Sequence, residues 1–196
     1  MSISAELVRK LREMTGVGIM ECKRALEEAK GDLETAVSVL RKRGLSAGAK
    51  KAGRETKEGV IGTYVHNDKI GVMVEVNCET DFVARNAEFQ NLVHDIALHI
   101  AAADPRYARR EDIAEETLEK EREIFREQAR ASGKPEGVLD KIVEGRIAKF
   151  YAETCLPDQP FIRDDKITVR DLIAEHIHKM GENIQVRRFI RYKLGE

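Results

Sequence analysis

The stretch that decides the fold is residues 60–78, which read VIGTYVHNDKIGVMVEVNC. Residues 60–65 are typical of a strand, residues 66–69 are typical of a turn, and residues 70–78 alternate apolar side chains with other residues. Because successive side chains of a strand point to opposite faces, this alternation predicts a half-buried strand and an antiparallel hairpin. Residues 183–194 alternate as well, and they are predicted to add a third strand. The apolar side chains expected to share one face of it are Ile184, Val186, Ile190, Tyr192 and Leu194.

The N-terminal part of the chain has helical spacing instead. Apolar residues recur three times at the i, i+3, i+4, i+7 spacing within residues 4–43, which predicts three short helices. Gly31 is predicted to end the second helix, Asp32 to cap the third, and Gly44 to end the third. Such a small bundle buries little area, so we expect residues 1–45 to form a module that presents a partner-binding face.

The rest of the chain predicts a second module. Residues 46–58 are small and charged, which is typical of either a linker or a loosely packed helix between two modules. The helices predicted after the hairpin span residues 89–100, 111–131, 136–155 and 168–181. Thr168 and Asp171 have the spacing of a capping box for the last of these. Because strands and helices are segregated rather than strictly alternating, residues 59–196 predict an α+β core with a small antiparallel sheet.

Composition argues against several classes of protein. The chain has 34 basic and 35 acidic residues and a net charge of −1, whereas a dedicated nucleic-acid binder usually has a basic excess. No apolar run approaches the roughly 20 residues that span a bilayer, and the first residues lack the layout of a signal peptide. The three cysteines are far apart and odd in number, which fits reduced thiols. We therefore expect a cytoplasmic protein with neither nucleic acid nor membrane as its partner.

Local motifs for catalysis or nucleotide binding are absent from the sequence. There is no phosphate-binding loop of the GxxxxGK[ST] type, no GxGxxG after a strand, and no CxxC pair. His94 and His99 are five residues apart on one predicted helix, so they point about 140° apart and cannot easily share a metal. We expect each histidine at the surface or on a helix flank. The chain is therefore expected to be no enzyme and to hold no cofactor, metal or nucleotide.

The first motif that points to a function is TGVGIMECKRAL, residues 15–26. It reads as a glycine-bearing turn between two helices and displays two large apolar side chains, Ile19 and Met20. In a bundle this small both side chains fit a core. The alternative is that one of them faces out as an adaptable contact, a role that suits methionine.

The second motif is EVNCETDFVAR, residues 75–85, where a strand ends and a short turn or helix begins. Thr80 or Asp81 is suited to cap that start. Phe82 then lies at the junction and is flanked by charged residues. It is either an aromatic plug over the edge of the sheet or a protruding anchor, since exposed aromatic residues often dominate an interface.

Both motifs resemble the signature segments of the elongation factor Ts family. The resemblance covers nearly the whole chain, and it implies a three-helix head similar to ubiquitin-associated domains followed by a sheet-containing core. Its further fragments are Gly133-Lys134-Pro135, Glu144-Gly145-Arg146, Gln159-Pro160-Phe161, Gly181-Glu182-Asn183-Ile184 and Arg187-Arg188-Phe189.

The resemblance implies a guanine nucleotide exchange factor for elongation factor Tu. On this analogy Thr80, Asp81, Phe82 and Val83 reach into the nucleotide-binding domain of the partner, displace its Mg²⁺ and promote release of GDP, so that GTP can bind. Another face of the same partner domain is expected to contact Val17, Ile19 and Met20.

The same resemblance bears on assembly. Longer members of the family carry a second half of the core with an inserted helical hairpin, and this chain is expected to be too short for it. We therefore predict a homodimer with the sheet as its interface, which also covers an unpaired sheet edge. The main alternative function is a protein-interaction scaffold that uses the three-helix head. RNA binding through the basic residues 187–191 is a weaker one.

Overall fold

A computed structural model describes residues 3–133 and 135–196 of the chain. Within them the chain forms eight α-helices and five strands. The helices are α1 (Ala5–Thr15), α2 (Ile19–Glu28), α3 (Leu33–Lys51), α4 (Asp81–Ala84), α5 (Ala87–Ala103), α6 (Glu115–Ala131), α7 (Glu136–Thr154) and α8 (Val169–Met180). The strands are β1 (Glu58–His66), β2 (Ile70–Cys78), β3 (Pro160–Phe161), β4 (Asp164–Thr168) and β5 (Gln185–Lys193).

Helices α1, α2 and α3 pack around a small apolar core and form what we call the head. Two of these helices have a side-chain N-cap. Ser4 caps α1, and Asp32 caps α3 by accepting a 2.7 Å hydrogen bond from the Thr35 amide. The predicted cap at Asp32 is confirmed. The core of the head is lined by Leu11, Cys22, Ala25, Leu26, Ala36 and Leu40.

The end of α3 differs from the prediction. The helix does not stop at Gly44 but continues to Lys51, so the first part of the predicted linker is helical. Gly44 is buried because α3 packs closely on α8: a Cβ atom at Gly44 would lie 3.4 Å from the carbonyl oxygen of Ala174. The glycine therefore permits a close approach of two helices, and it does not form a cap.

The main sheet has three antiparallel strands in the order β1-β2-β5. The predicted hairpin is confirmed, with Glu58 opposite Cys78 at one end and His66 opposite Ile70 at the turn. Strands β3 and β4 form a separate two-stranded pair. With helices gathered on one face of a small antiparallel sheet, the predicted α+β fold is confirmed.

The third strand contains a β-bulge that the alternation did not predict. Glu75 lies opposite Arg188, whereas Val76 lies opposite Val186, so Arg187 is the extra residue of β5. An extra residue reverses the faces of every side chain beyond it. Val186 is therefore buried and Ile190 is exposed. The prediction that all five apolar residues share one face is wrong, since Tyr192 and Leu194 are exposed as well.

The core lies between the sheet and the helices α5 and α8. Its largest contributions come from alternate residues of β2 and from one face of α5, and they include Val72, Val74, Val76, Phe89, Leu92, Ile96 and Ile100. The predicted capping box is confirmed, because Thr168 and Asp171 exchange hydrogen bonds at the start of α8. Gly181 ends that helix in the left-handed conformation at φ +76°.

Helices α6 and α7 form an antiparallel helical hairpin. Ion pairs of 2.8 Å between Arg126 and Asp140 and of 2.9 Å between Arg130 and Glu136 join the two helices. The helices predicted for residues 111–131 and 136–155 are therefore confirmed. The predicted break at residues 133–135 includes Lys134, which lies outside the described residues.

Candidate partner-binding site

The second motif ends β2 and begins the single-turn helix α4. Thr80 is the N-cap, and its hydroxyl accepts a 3.4 Å hydrogen bond from the amide of Val83. Ala84 is buried and Val83 packs against the main core, so the turn has a fixed inner side. Phe82 points the other way and is 83% exposed. The interpretation of Phe82 as a plug over the sheet edge is therefore wrong, and the protruding position is the one observed.

The loop that carries Phe82 is tied to the segment between α8 and β5. The carboxylate of Glu182 accepts hydrogen bonds from the amides of Glu79 and Thr80, at 3.1 and 3.0 Å, and from the Thr80 hydroxyl at 2.6 Å. In return the carboxylate of Glu79 accepts a 2.6 Å bond from the amide of Asn183. We call these four residues the carboxylate clamp. In the sequence, Glu182 and Asn183 stand out only as part of a fragment that resembles the family, because a contact between residues about 100 positions apart leaves no local signal.

A buried thiol completes the support beneath the loop. The Sγ atom of Cys78 donates to the carbonyl of Thr80 at 3.2 Å. Burial, and then the negative charge of Glu182, raise the pKa of Cys78 to about 11. The sulfur is therefore held as a neutral donor rather than as a reactive thiolate, in agreement with a structural role.

The first motif presents two apolar side chains on the surface of the head. Ile19 is 52% exposed and Met20 is 63% exposed, and we call the two the head patch. Both side chains face solvent, whereas the sequence alone is compatible with either a core or a surface position for each. Val17 is buried, and its carbonyl accepts a hydrogen bond from the Cys22 thiol, so a partner cannot reach its side chain. Cationic side chains flank Ile19 in a shallow groove lined by Ile3, Val8, Arg9, Arg12 and Lys23.

Within the described residues, the three-stranded sheet has one face that no helix covers. We call this the outer sheet face, and its exposed apolar side chains are Ile61, Val65, Met73, Ile190 and Tyr192. Met73 lies at its centre, opposite Thr63 on one neighbouring strand and Ile190 on the other. An apolar surface that spans three strands is typical of an interaction surface.

The arginines of β5 are paired with acidic residues. Glu75 forms ion pairs with Arg188 at 2.8 Å and with Arg187 at 3.4 Å. The hydrogen bond from Arg188 lowers the pKa of the Glu75 carboxyl. Arg191 pairs with Asp104 at 3.3 Å and with Glu196 at 3.4 Å. The charge of this segment is therefore largely compensated by neighbouring carboxylates.

His99 does not lie at the surface as the sequence predicted. It is fully buried, its Nδ1 atom accepts a 3.2 Å hydrogen bond from the amide of Ile162, and its Nε2 atom lies 3.0 Å from the Oε1 atom of Gln159. Since Nδ1 is an acceptor, the proton is on Nε2 and the ring is neutral. Burial lowers the pKa of His99, and the imidazole is a structural part of the core.

The fold and the site together define a binding protein, in which exposed apolar side chains stand on rigid supports. Among the described residues no group of three or more histidine, cysteine or acidic side chains is placed to hold a metal ion. In the same part of the chain no helix is both long and apolar enough to cross a membrane.

Comparisons with known proteins identify the family. The family model described as Elongation factor TS matches residues 48–196. The elongation factor Ts of Thermosipho melanesiensis is 58% identical, over 99% of this chain and 100% of its own length. Those of Solibacter usitatus and Pseudothermotoga lettingae are 58% and 57% identical, over 92% and 100% of their lengths.

The chain therefore belongs to the elongation factor Ts family, as its two motifs predicted. It acts in translation elongation, in general terms as a nucleotide exchange factor for elongation factor Tu. Such a factor makes and breaks no covalent bond of the nucleotide, so it is not a catalyst of a chemical reaction.

Proposed function

We propose that the chain releases GDP from elongation factor Tu by inserting Phe82 into the nucleotide-binding domain of that partner, where the insertion displaces Mg²⁺. The observation that carries this proposal is the exposure of Phe82, at 83%, on a one-turn helix whose inner side is packed and whose N-terminus is capped. An exposed aromatic on a rigid support loses little conformational entropy on binding, so most of its burial energy is available to act on the partner.

The energetics fit the proposed displacement. Mg²⁺ neutralises the charge of a bound diphosphate, and its loss leaves that charge poorly compensated. Burying one phenyl ring stabilises a complex by roughly 1.5–3 kcal/mol, which is enough to hold a loop of the partner in a strained position. Thr80 and Val83 fix the turn, while Asp81 lies at its exposed start and pairs with Arg85 at 3.1 Å.

The head patch is the proposed second contact. Ile19 and Met20 would bind another face of the same partner domain, and their exposure beside the cations of the groove suits an apolar surface with acidic surroundings. We propose that residues 1–45 act as the partner-binding head and residues 59–196 as the core. The similarity of the head to ubiquitin-associated domains stays a prediction.

The proposed action is a coupling between two binding events. If the chain weakens the binding of GDP to its partner, GDP must weaken the binding of the chain by the same factor. This reciprocity lets the chain dissociate when GTP and Mg²⁺ arrive. The chain itself is proposed to bind no nucleotide, in agreement with a sequence that lacks phosphate-binding loops.

We also propose that the chain is a homodimer joined through the outer sheet face. Its support is the run of exposed apolar side chains across three strands, including Met73 and Tyr192, where a second copy would exclude water. We infer a cytoplasmic location, in line with cysteines at positions 22, 78 and 155 that are all buried and unpaired.

The release of labelled GDP from elongation factor Tu, followed with and without the chain over a range of Mg²⁺ concentrations, tests the proposal. We expect strong acceleration that weakens as Mg²⁺ rises, because the chain and the ion compete. Acceleration that does not depend on Mg²⁺ would support the exchange activity of the chain but refute the displacement of Mg²⁺ as its mechanism. No acceleration at any concentration would favour the alternative, a scaffold that binds through the head.

A further inference from the structure

We propose that Glu182 is a positioning residue for nucleotide exchange: it holds the loop before α4 in the one conformation in which Phe82 protrudes. This inference rests on the proposed function and adds to it a residue that lies outside both motifs. Glu182 belongs to the fragment Gly181-Glu182-Asn183-Ile184, for which the resemblance and the proposed contacts give no role.

The geometry at Glu182 is that of a built acceptor site. One carboxylate oxygen, Oε2, accepts from two successive amides, those of Glu79 and Thr80, and the other, Oε1, accepts from the Thr80 hydroxyl at 2.6 Å. Hydrogen bonds to an ionised carboxylate are shorter and stronger than those between neutral groups. Three of them from two residues fix both the backbone direction and the rotamer of Thr80.

The Thr80 hydroxyl passes this constraint to α4. Because its proton is donated to Glu182, its lone pairs face the amide of Val83, which donates to it at 3.4 Å. That second bond is the N-cap of the turn that carries Phe82. Glu182 thus orients the cap, and the cap orients the turn.

The clamp also joins the Phe82 loop to the head. The backbone amide of Asn183 donates a 2.6 Å hydrogen bond to the carboxylate of Glu79, and its buried side chain donates a 2.8 Å bond to the carbonyl of Arg54. Arg54 follows the end of α3. This helix belongs to the head and also packs against α8. Asn183 therefore holds both the loop that follows β2 and the segment that follows α3. This sets the distance between the two proposed contact surfaces, Phe82 and the head patch.

The test compares Glu182→Ala with Glu182→Gln. A glutamine keeps one oxygen that can accept from both backbone amides, and its amide nitrogen can donate to the Thr80 hydroxyl oxygen, so the loop is still held with the third bond reversed. Alanine removes all three bonds. We measure the release of labelled GDP from elongation factor Tu over a range of chain concentrations, which yields a maximal rate and a half-saturating concentration. The control is Glu123→Ala, which removes an exposed carboxylate of α6.

We expect Glu182→Ala to lower the maximal rate about tenfold or more, since a displacement of about 1 Å at a working site costs up to a hundredfold. The half-saturating concentration should change little, because the head patch is untouched. Glu182→Gln should restore most of the rate. A variant that was merely less stable would show the opposite pattern, because a smaller folded fraction raises the half-saturating concentration and leaves the maximal rate unchanged.

A second readout does not depend on exchange activity. Hydrogen exchange at the amides of Glu79 and Thr80 should become faster in Glu182→Ala, while the amides of β2 that bond to β5 keep their protection. Unchanged protection or an unchanged maximal rate would overturn the role of Glu182. If the wild-type chain itself fails to release GDP while the two amides lose protection as expected, the proposed function fails and the clamp stands.

Discussion

Gly62 of β1 lies so close to Val93 of α5 that a Cβ atom on Gly62 would overlap the Cγ1 atom of Val93. We therefore expect Gly62→Ala to destabilise the fold by about 1–3 kcal/mol, because the helix would have to move away from the sheet. The matched control is Gly145→Ala in α7, where nothing lies within 4 Å of the added atom. That change should stabilise the helix by about 0.5–1 kcal/mol. Urea unfolding measures both, and an equal effect of the two substitutions would contradict the close packing.

The buried neutral imidazole of His99 predicts a loss of stability in acid. Burial places its pKa below the ordinary value of 6.5, so the unfolded chain takes up the proton first and the free energy of unfolding falls as the pH drops below 6.5. The pKa of His178 is lowered by burial too and adds to the same trend. We expect His99→Gln to be less stable near neutral pH but to lose less stability on acidification. The exposed His66, changed to Gln, is the control, and a wild-type pH dependence in His99→Gln would count against the assignment.

Met73 lies at the centre of the outer sheet face, so Met73→Glu should prevent the proposed dimer from forming. A carboxylate buried between two copies without a partner is costly, and we expect self-association to weaken by more than about tenfold. Ile124→Glu places the same charge on α6, where Ile124 is also exposed, and should leave assembly unchanged. Sedimentation equilibrium distinguishes the two variants. A wild-type chain that is monomeric throughout, or a Met73→Glu variant that still dimerises fully, would refute the interface.

The head patch should govern affinity rather than the rate at saturation. Truncating Ile19 and Met20 together to alanine removes apolar surface worth at least about 1.4 kcal/mol, which corresponds to a half-saturating concentration about tenfold higher. The maximal rate of GDP release should stay the same, because Phe82 is unaffected. Val138→Ala, at an exposed site of α7, is the control. A double variant that lowers the maximal rate and keeps the wild-type affinity would contradict a docking role.

Local patterns predicted the elements of this fold well where a single physical signal governs the backbone. The hairpin followed from the alternation before and after residues 66–69, and the start of α8 followed from the spacing of Thr168 and Asp171. Both signals act between residues that are close in the chain. They can therefore be read without knowledge of tertiary contacts.

The predictions that failed depend on contacts between distant segments. Gly44 has the sequence context of a helix end, yet α3 continues past it and packs against Ala174 of α8, a contact that lies about 130 positions away in the chain. Ile190 follows the alternation of β5, but the bulge at Arg187 turns it outward. The burial of His99 is offset by hydrogen bonds to Gln159 and Ile162, about 60 positions away. No local pattern carries that information.

The candidate site divides in the same way. The two motifs draw attention to Phe82, Ile19 and Met20, and the resemblance of these motifs to a known family supplies the expected role of each as a contact residue. The pattern alone leaves open which of them is exposed, and the contact expected at Val17 falls on a side chain that is buried in the core of the head. The supporting role of Glu182 could be recognised only from the folded chain.

The central claim is that Phe82 drives nucleotide release, and the most direct test is the maximal rate of GDP release from elongation factor Tu with the wild-type chain and with Phe82→Ala. Because Phe82 is 83% exposed, the substitution should hardly change the free energy of unfolding. The account predicts strong acceleration by the wild-type chain and a maximal rate at least about tenfold lower for the variant, which corresponds to the loss of about 1.4 kcal/mol. A Phe82→Ala variant that accelerates release as strongly as the wild-type chain would contradict it.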